Sequence, residues 1–191
     1  MMSNNLNSYL PAPTKQKFAA TFHVVRPISF WIQLALGGVS SLALFLAILS
    51  RSSTVQTTTN SVMWVGVFFG VLGIVVLCFR LYWVNRYRHL DRLLQSPNRE
   101  LHPRKEDVIQ VLSTGLIISL IGILLAFFAS EVTVFAVLSK SLALPQGIAV
   151  YKPENVIRSL DLFVVLANVN LIGAHLVGGA TSLGLLSWLD R

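Results

Sequence analysis

The feature that most constrains this chain is a series of four long apolar runs separated by short charged segments. The runs cover about 28–49, 62–83, 111–138 and 160–189. An α-helix rises about 1.5 Å per residue, so about 20 apolar residues cross the bilayer hydrocarbon core. Each run is long enough to cross, and the second extends from Phe79 to Trp83 if Arg80 extends its charge to the headgroups. We therefore predict an all-α fold, an integral membrane four-helix bundle in which residues 1–191 form a single membrane domain.

The composition excludes an ordinary water-soluble globule. Hydrophobic residues make up 54% of the chain and charged residues only 12%, against about 45–50% and 25% in soluble domains. The net charge of +7 comes from basic residues that lie between the apolar runs. The single cysteine, Cys78, rules out an intrachain disulfide and a cysteine-ligated metal cluster within one copy of the chain.

The distribution of basic residues predicts the orientation in the membrane. Eleven of the 15 Lys and Arg residues lie in the N-terminal segment, the loop 84–110 and its preceding Arg80, or the C-terminus. The positive-inside rule then places both termini on the cytoplasmic side. Residues 1–27 form an N-terminal leader, in which 14–27 are either an interfacial helix or a polar segment without structure. We expect neither a cleaved signal nor a transit peptide.

Small residues recur at helical spacing in the runs and predict close helix packing. In lipid, small side chains let the backbones of neighbouring helices approach each other. The predicted packing residues are Gly66, Gly70 and Gly73 in the second run, Gly115, Ser119, Gly122 and Ala126 in the third, and Gly178 in the fourth. A bundle packed in this way has little room for a pore.

The fourth run carries polar residues every seven positions. These residues are Asp161, Asn168, His175 and Ser182. A step of seven drifts by only about 20° around a helix, so the four side chains form one stripe along it. We predict that this helix is central, or that one of its faces meets a second copy. Glu131 in the third run is expected near the outer boundary, facing Asp161 or the basic residues Lys140 and Arg158.

Three interpretations of the polar set are open. The residues are interhelical hydrogen-bonding groups, with Asp161 as a helix N-cap; or they form a substrate path for cations through Glu131, Asp161, Asn168, His175 and Ser182; or His175 relays protons. Imidazole and carboxylate together suit a transition metal such as iron. Since His175 is the one histidine within a run, no metal ligand set is identified.

Several stretches resemble one known family. They are Leu160-Asp161-Leu162-Phe163 with Asn170, His175, Gly178 and Ser182-Leu183, then Phe30-Trp31 with Gln33-Leu34, and Pro103-Arg104 followed by Asp107-Val108 and Gly115. In this order they resemble the small four-helix protein of the chloroplast inner-envelope (Tic) translocon, also described as the permease in chloroplasts, and its cyanobacterial relatives. The resemblance covers about residues 15–189. It implies an iron permease or a subunit of a protein-import machine; Glu131 departs from the neutral residue expected at its position.

Two functions remain once enzymes are set aside, because no nucleophile–base pair or phosphate-binding glycine loop is found. The first is membrane transport of iron or another divalent metal ion. The second is a non-catalytic subunit of a protein-translocation or membrane-protein assembly complex. We expect no cofactor and no nucleic-acid partner. The expected partners are membrane lipid, further copies of the chain, and translocon or assembly-complex subunits, in a cyanobacterial cytoplasmic or thylakoid membrane.

Overall fold

Four α-helices account for all of the chain that the structure describes. The structure is a computed structural model and describes residues 12–51, 58–95, 105–142 and 159–189. The helices are α1 (Ala12–Arg51), α2 (Thr58–Gln95), α3 (Lys105–Leu142) and α4 (Ser159–Leu189). Since every described residue is helical, the predicted all-α four-helix fold is confirmed.

Each helix contains a segment long and apolar enough to cross a membrane. These segments are Ala20–Leu49, Ser61–Val84, Glu106–Leu142 and Asp161–Trp188. Large apolar side chains on all four helices point outward, among them Trp31 at 66% exposure and Phe135 at 64%. An outer surface of this kind is stable in lipid and not in water. The chain is therefore an integral membrane protein.

The helices extend beyond the apolar segments. α1 is continuous from Ala12 and includes Pro27, so residues 14–27 join the first span without a break. α2 and α3 extend into the predicted basic loop 84–110, whose residues 96–104 lie outside the described residues, as do residues 1–11 of the leader.

The helices pack in the order in which they follow one another. α4 lies along both α1 and α3, α2 lies along α3 and more loosely along α1, and α2 also meets α4 across the bundle. Both α4 and α2 thus contact all three other helices, and α4 lies closely along two of them. This position brings its polar residues within reach of side chains from every other helix.

The core changes in character along the bundle. At one end Phe22, Val84 and Leu112 pack together, whereas half of the buried cluster in the opposite half consists of alanines, Ala43, Ala47 and Ala167. Small side chains bring the backbones together in that half. We call the end that contains Phe22 and Val84 the inner end, and the end that contains Lys140 and Asp161 the outer end.

A buried polar stripe as the candidate functional site

The polar stripe of α4 lies inside the bundle. Asp161, Asn168, His175 and Ser182 are all 2% exposed or less. Since a buried polar group is costly unless it forms hydrogen bonds, each of these side chains needs a partner on another helix. The partners come from α2 and α3, and they differ from one level of the stripe to the next.

At the outer end, Asp161 forms an ion pair with Lys140 of α3. Lys140 Nζ donates to Asp161 Oδ2 over 2.8 Å, and the two side chains are 4% and 2% exposed. Among the alternatives expected from the sequence, the structure places Lys140 against Asp161. Glu131 is exposed on the outward face of α3 and does not join the stripe. Arg158 lies outside the described residues.

Asn168 contacts α3 about two helical turns further in than Asp161. Its Nδ2 donates to Thr133 Oγ1 over 3.2 Å, and Thr133 Oγ1 in turn donates to the Ala129 carbonyl over 2.6 Å. Asn168 Oδ1 is buried without a hydrogen-bond partner among the described residues. It lies against Gly70 of α2, where a Cβ would come within 2.7 Å of it.

His175 is held between two glycines. Its Nε2 lies 3.2 Å from the Gly73 carbonyl of α2. A carbonyl oxygen only accepts hydrogen bonds, so this contact assigns the proton of a neutral imidazole to Nε2. Nδ1 then carries a lone pair and has no hydrogen-bond partner among the described residues. A Cβ at Gly122 of α3 would overlap the imidazole ring, so glycine at this position makes room for His175.

At the inner end, Ser182 accepts a hydrogen bond from a buried arginine. Arg80 Nη2 donates to Ser182 Oγ over 2.7 Å and to the Gly178 carbonyl over 2.8 Å, while Nε donates to Ser119 Oγ of α3 over 2.9 Å. Arg80 is 1% exposed. The expectation that its charge extends to the headgroups is wrong, because two hydroxyls and a carbonyl accept its protons inside the bundle.

Gln33 of α1 lies beside the stripe, although the polar set predicted from the sequence did not include it. Its Nε2 donates to Ser29 Oγ over 2.8 Å and to the Ser29 carbonyl over 3.1 Å. Its Oε1 is buried without a partner among the described residues, and a Cβ at Gly178 would come within 2.9 Å of it. The signal for Gln33 is its place in the first apolar run, where an amide needs the bundle interior.

The predicted packing residues lie on the inward sides of their helices. Gly66 faces Ala129 and Thr133, and Gly73 faces Leu171. The remaining members of the set are also buried: Gly70, Gly115, Ser119, Gly122, Ala126 and Gly178. Side chains of neighbouring helices therefore occupy the space that the glycines leave.

The donor set of the stripe does not form one metal centre. Among the described residues, no three His, Cys, Asp or Glu side chains come together in a group. Asn168 and His175 are about 10 Å apart along α4. The stripe offers isolated oxygen and nitrogen lone pairs at successive depths, bounded by a buried lysine at one end and a buried arginine at the other.

Comparison with known proteins places the chain in a family. Residues 12–190 match the sequence model of the DUF3611 family, which is described as a protein of unknown function. The chain is 26% identical over 180 residues to Protein TIC 21, chloroplastic, of Arabidopsis thaliana. The match covers 90% of the chain but only 57% of that relative, so the chain spans little more than half of its length. No solved structure matches the chain. The resemblance predicted from the sequence is confirmed, and the chain belongs to the DUF3611 family.

Proposed function

We propose that this protein is a non-catalytic membrane subunit of a transport complex that translocates or assembles proteins, and that a single copy does not conduct ions. The observation that carries the proposal is Arg80, which lies 1% exposed on the polar stripe and donates hydrogen bonds to Ser119, Gly178 and Ser182. The similarity to Protein TIC 21 supports a role of this class.

The charges of the stripe oppose cation passage through one bundle. At the outer end the carboxylate of Asp161 is already engaged by Lys140. At the inner end, a cation passing about 4 Å from the Arg80 guanidinium is repelled by about 4 kcal/mol at an effective dielectric constant of 20. A path that begins at an occupied acid and ends at a fixed positive charge is unfavourable for iron or any other cation.

The packing of the stripe opposes a pore as well. Leu44 and Asn168 fill the space next to Gly70, His175 fills the space next to Gly122, and Leu171 fills the space next to Gly73. For an ion to pass, these side chains would have to move together. A tightly packed bundle with a fixed internal shape suits a subunit that provides surfaces to partners.

One observation favours the second candidate, a permease for iron or another divalent metal ion. Gln33 Oε1, Asn168 Oδ1 and His175 Nδ1 are buried lone pairs without hydrogen-bond partners among the described residues. Amide oxygen and imidazole nitrogen are suitable ligands for divalent transition metals. This function requires an opened conformation or an oligomer that changes the surroundings of Arg80.

Uptake by reconstituted protein separates the two candidates. Purified protein in liposomes is offered iron(II) or manganese(II), and uptake is compared for wild type, His175→Ala and the control His23→Ala, whose histidine is exposed. The proposal expects wild-type uptake equal to that of protein-free liposomes. Uptake that is lost in His175→Ala and kept in His23→Ala would overturn it in favour of the permease.

Copurification tests the subunit role directly. The protein is extracted from its native membrane in a mild detergent, and the complex is sized on a native gel. We expect a complex larger than the protein alone, with other membrane proteins in fixed ratio. Recovery of the protein by itself would contradict the proposal. For orientation we propose cytoplasmic termini, from the ten basic residues other than the buried Arg80 that the sequence places on one side. For location we propose a cyanobacterial cytoplasmic or thylakoid membrane.

A further inference from the structure

The outward face of α3 carries one ionisable side chain within a long apolar surface. At 100° per residue, the exposed residues Leu124, Phe127, Phe128, Val134, Phe135 and Leu138 all lie within about 60° of Glu131. Glu131 is itself exposed. Apart from Glu131, this surface consists of large hydrophobic side chains.

The apolar surface continues past Glu131 in both directions. It reaches Ile117 on the inner side, at 57% exposure, and Leu142 on the outer side, at 78% exposure. Those two residues lie about 21 Å and about 16 Å from Glu131 along the helix. Lys140, which pairs with Asp161 at the outer end, lies about 14 Å further along α3. A glutamate side chain is too short to span that distance, so Glu131 lies among apolar groups and deeper than the outer boundary expected from the sequence.

A carboxyl group in this position needs a partner that the bundle does not supply among its described residues. Ionisable residues within membrane spans almost always face a bundle interior or pair with one another. The Lys140 side chain of the same helix is buried and engaged with Asp161. The neighbours of Glu131 one turn away in each direction are phenylalanines and a valine, which have no hydrogen-bonding side chain.

We propose that the face of α3 around Glu131 docks a transmembrane helix of another protein, which presents a lysine, arginine or histidine to the carboxylate. The inference rests on the proposed function, which supplies such a partner. Charge complementarity selects the basic residue, and the aromatic side chains on either side of Glu131 supply the apolar contact area.

A second copy of this chain fits the face less well. Two Glu131 carboxylates brought together by a symmetric dimer would repel each other. Among the described side chains, the basic residues Arg80 and Lys140 are buried, and Arg26 and His23 lie toward the inner end of α1. None of these residues presents a positive charge on the outer surface at the depth of Glu131.

A model helix tests the proposal in liposomes. The purified full chain is labelled with a fluorescent donor at Cys78, its one cysteine, which is exposed. The probe is a leucine-rich transmembrane peptide with a central lysine and an acceptor dye, and the same peptide with glutamine in place of lysine is its control. We expect the lysine peptide to bind wild type about tenfold more tightly than it binds Glu131→Gln. Glu131→Asp keeps the charge and should retain most of the binding.

Other outcomes overturn the proposal. Equal binding of the lysine peptide to wild type and Glu131→Gln would show that the carboxylate is not the recognition group. Binding of the lysine peptide to Arg158→Gln but not to wild type would show that Arg158 of the same chain already pairs with Glu131. Energy transfer between two labelled copies that Glu131→Gln abolishes would assign the face to a dimer. The proposed function is tested separately, by the size of the complex on the native gel. Loss of peptide binding with an intact complex would therefore contradict the docking site alone.

Discussion

Each end of the stripe contains a buried cation, and the two cations are stabilised by different kinds of hydrogen-bond acceptor. At the outer end Lys140 donates to a single carboxylate, Asp161. At the inner end Arg80 distributes its donors over two hydroxyls and a backbone carbonyl on α3 and α4. An ammonium needs a localised negative charge, whereas the planar guanidinium can span several neutral acceptors. The burial of Lys140 therefore depends on the carboxylate of Asp161, whereas the burial of Arg80 depends on several neutral acceptors together.

The largest expected effect is at the outer end. Asp161→Asn removes the carboxylate charge and leaves the Lys140 ammonium buried without it, which should lower the free energy of unfolding by about 3–5 kcal/mol. Thermal unfolding in detergent, followed by circular dichroism, measures the loss. Glu131→Gln is the matched control, because it neutralises an exposed carboxylate on α3 and should change the unfolding temperature little.

The double variant Lys140→Met with Asp161→Leu tests whether this loss of stability comes from the unpaired buried charge. Removing both charges also removes their cost of burial, so stability should return to within about 1–2 kcal/mol of wild type. A double variant as unstable as Asp161→Asn would show that the pair holds the helices in a geometry that apolar contact cannot replace. That outcome would contradict the electrostatic explanation.

The inner end should lose less from any one change. Arg80→Lys keeps the charge but loses the fork geometry, and we expect a cost of about 2 kcal/mol. Ser119→Ala and Ser182→Ala each remove one acceptor and should cost about 1 kcal/mol. The unfolding temperatures of the three variants in detergent provide the measurement. If one serine variant alone were as damaging as Arg80→Lys, the acceptors would not share the charge as described.

Between the two ends, His175 needs the space that Gly122 leaves by having no side chain. Gly122→Ala places a Cβ in the volume of the His175 ring and should destabilise the bundle by about 1–3 kcal/mol. Gly38→Ala is the control, because a Cβ there meets nothing within 4 Å, and its effect should stay within about 0.5 kcal/mol. Unfolding in detergent compares them. Equal effects would show that backbone flexibility and not the His175 contact decides the cost.

The differences between the ends also show what sequence can and cannot predict here. The apolar runs predict four helices because membrane thickness sets their length, and the seven-residue spacing predicts the stripe because it follows from helix geometry alone. The orientation of the Arg80 side chain cannot be predicted from run length or residue spacing. Its acceptors, Ser119 and Ser182, are 39 and 102 residues away in sequence, so helix packing decides whether it points inward.

The orientation of the Glu131 side chain is likewise not predictable from the sequence. Its helix is predictable from the apolar run, but the rotation of α3 about its axis is not, and that rotation decides which side chain of α3 faces Asp161 of α4. Asp161 and Lys140 face each other across the α3–α4 contact, whereas Glu131 lies on the outer face of α3. Helices with small residues on several sides allow more than one packing face, so composition alone leaves the choice open.

The smallest expected effect is at Asn168, where a neutral hydrogen bond replaces the charges of the two ends. Thr133→Val keeps the side-chain shape but removes the acceptor of Asn168 Nδ2, and hydrogen bonds between membrane helices average about 0.6 kcal/mol. Thr114→Val is the control, since its hydroxyl bonds only the Gln110 carbonyl of its own helix in the described contacts. Unfolding in detergent should show a small excess loss for Thr133→Val. A loss as large as that of Asp161→Asn would mean that Asn168 contributes to the bundle as strongly as a buried charge, and the contrast between charged ends and a neutral middle would fail.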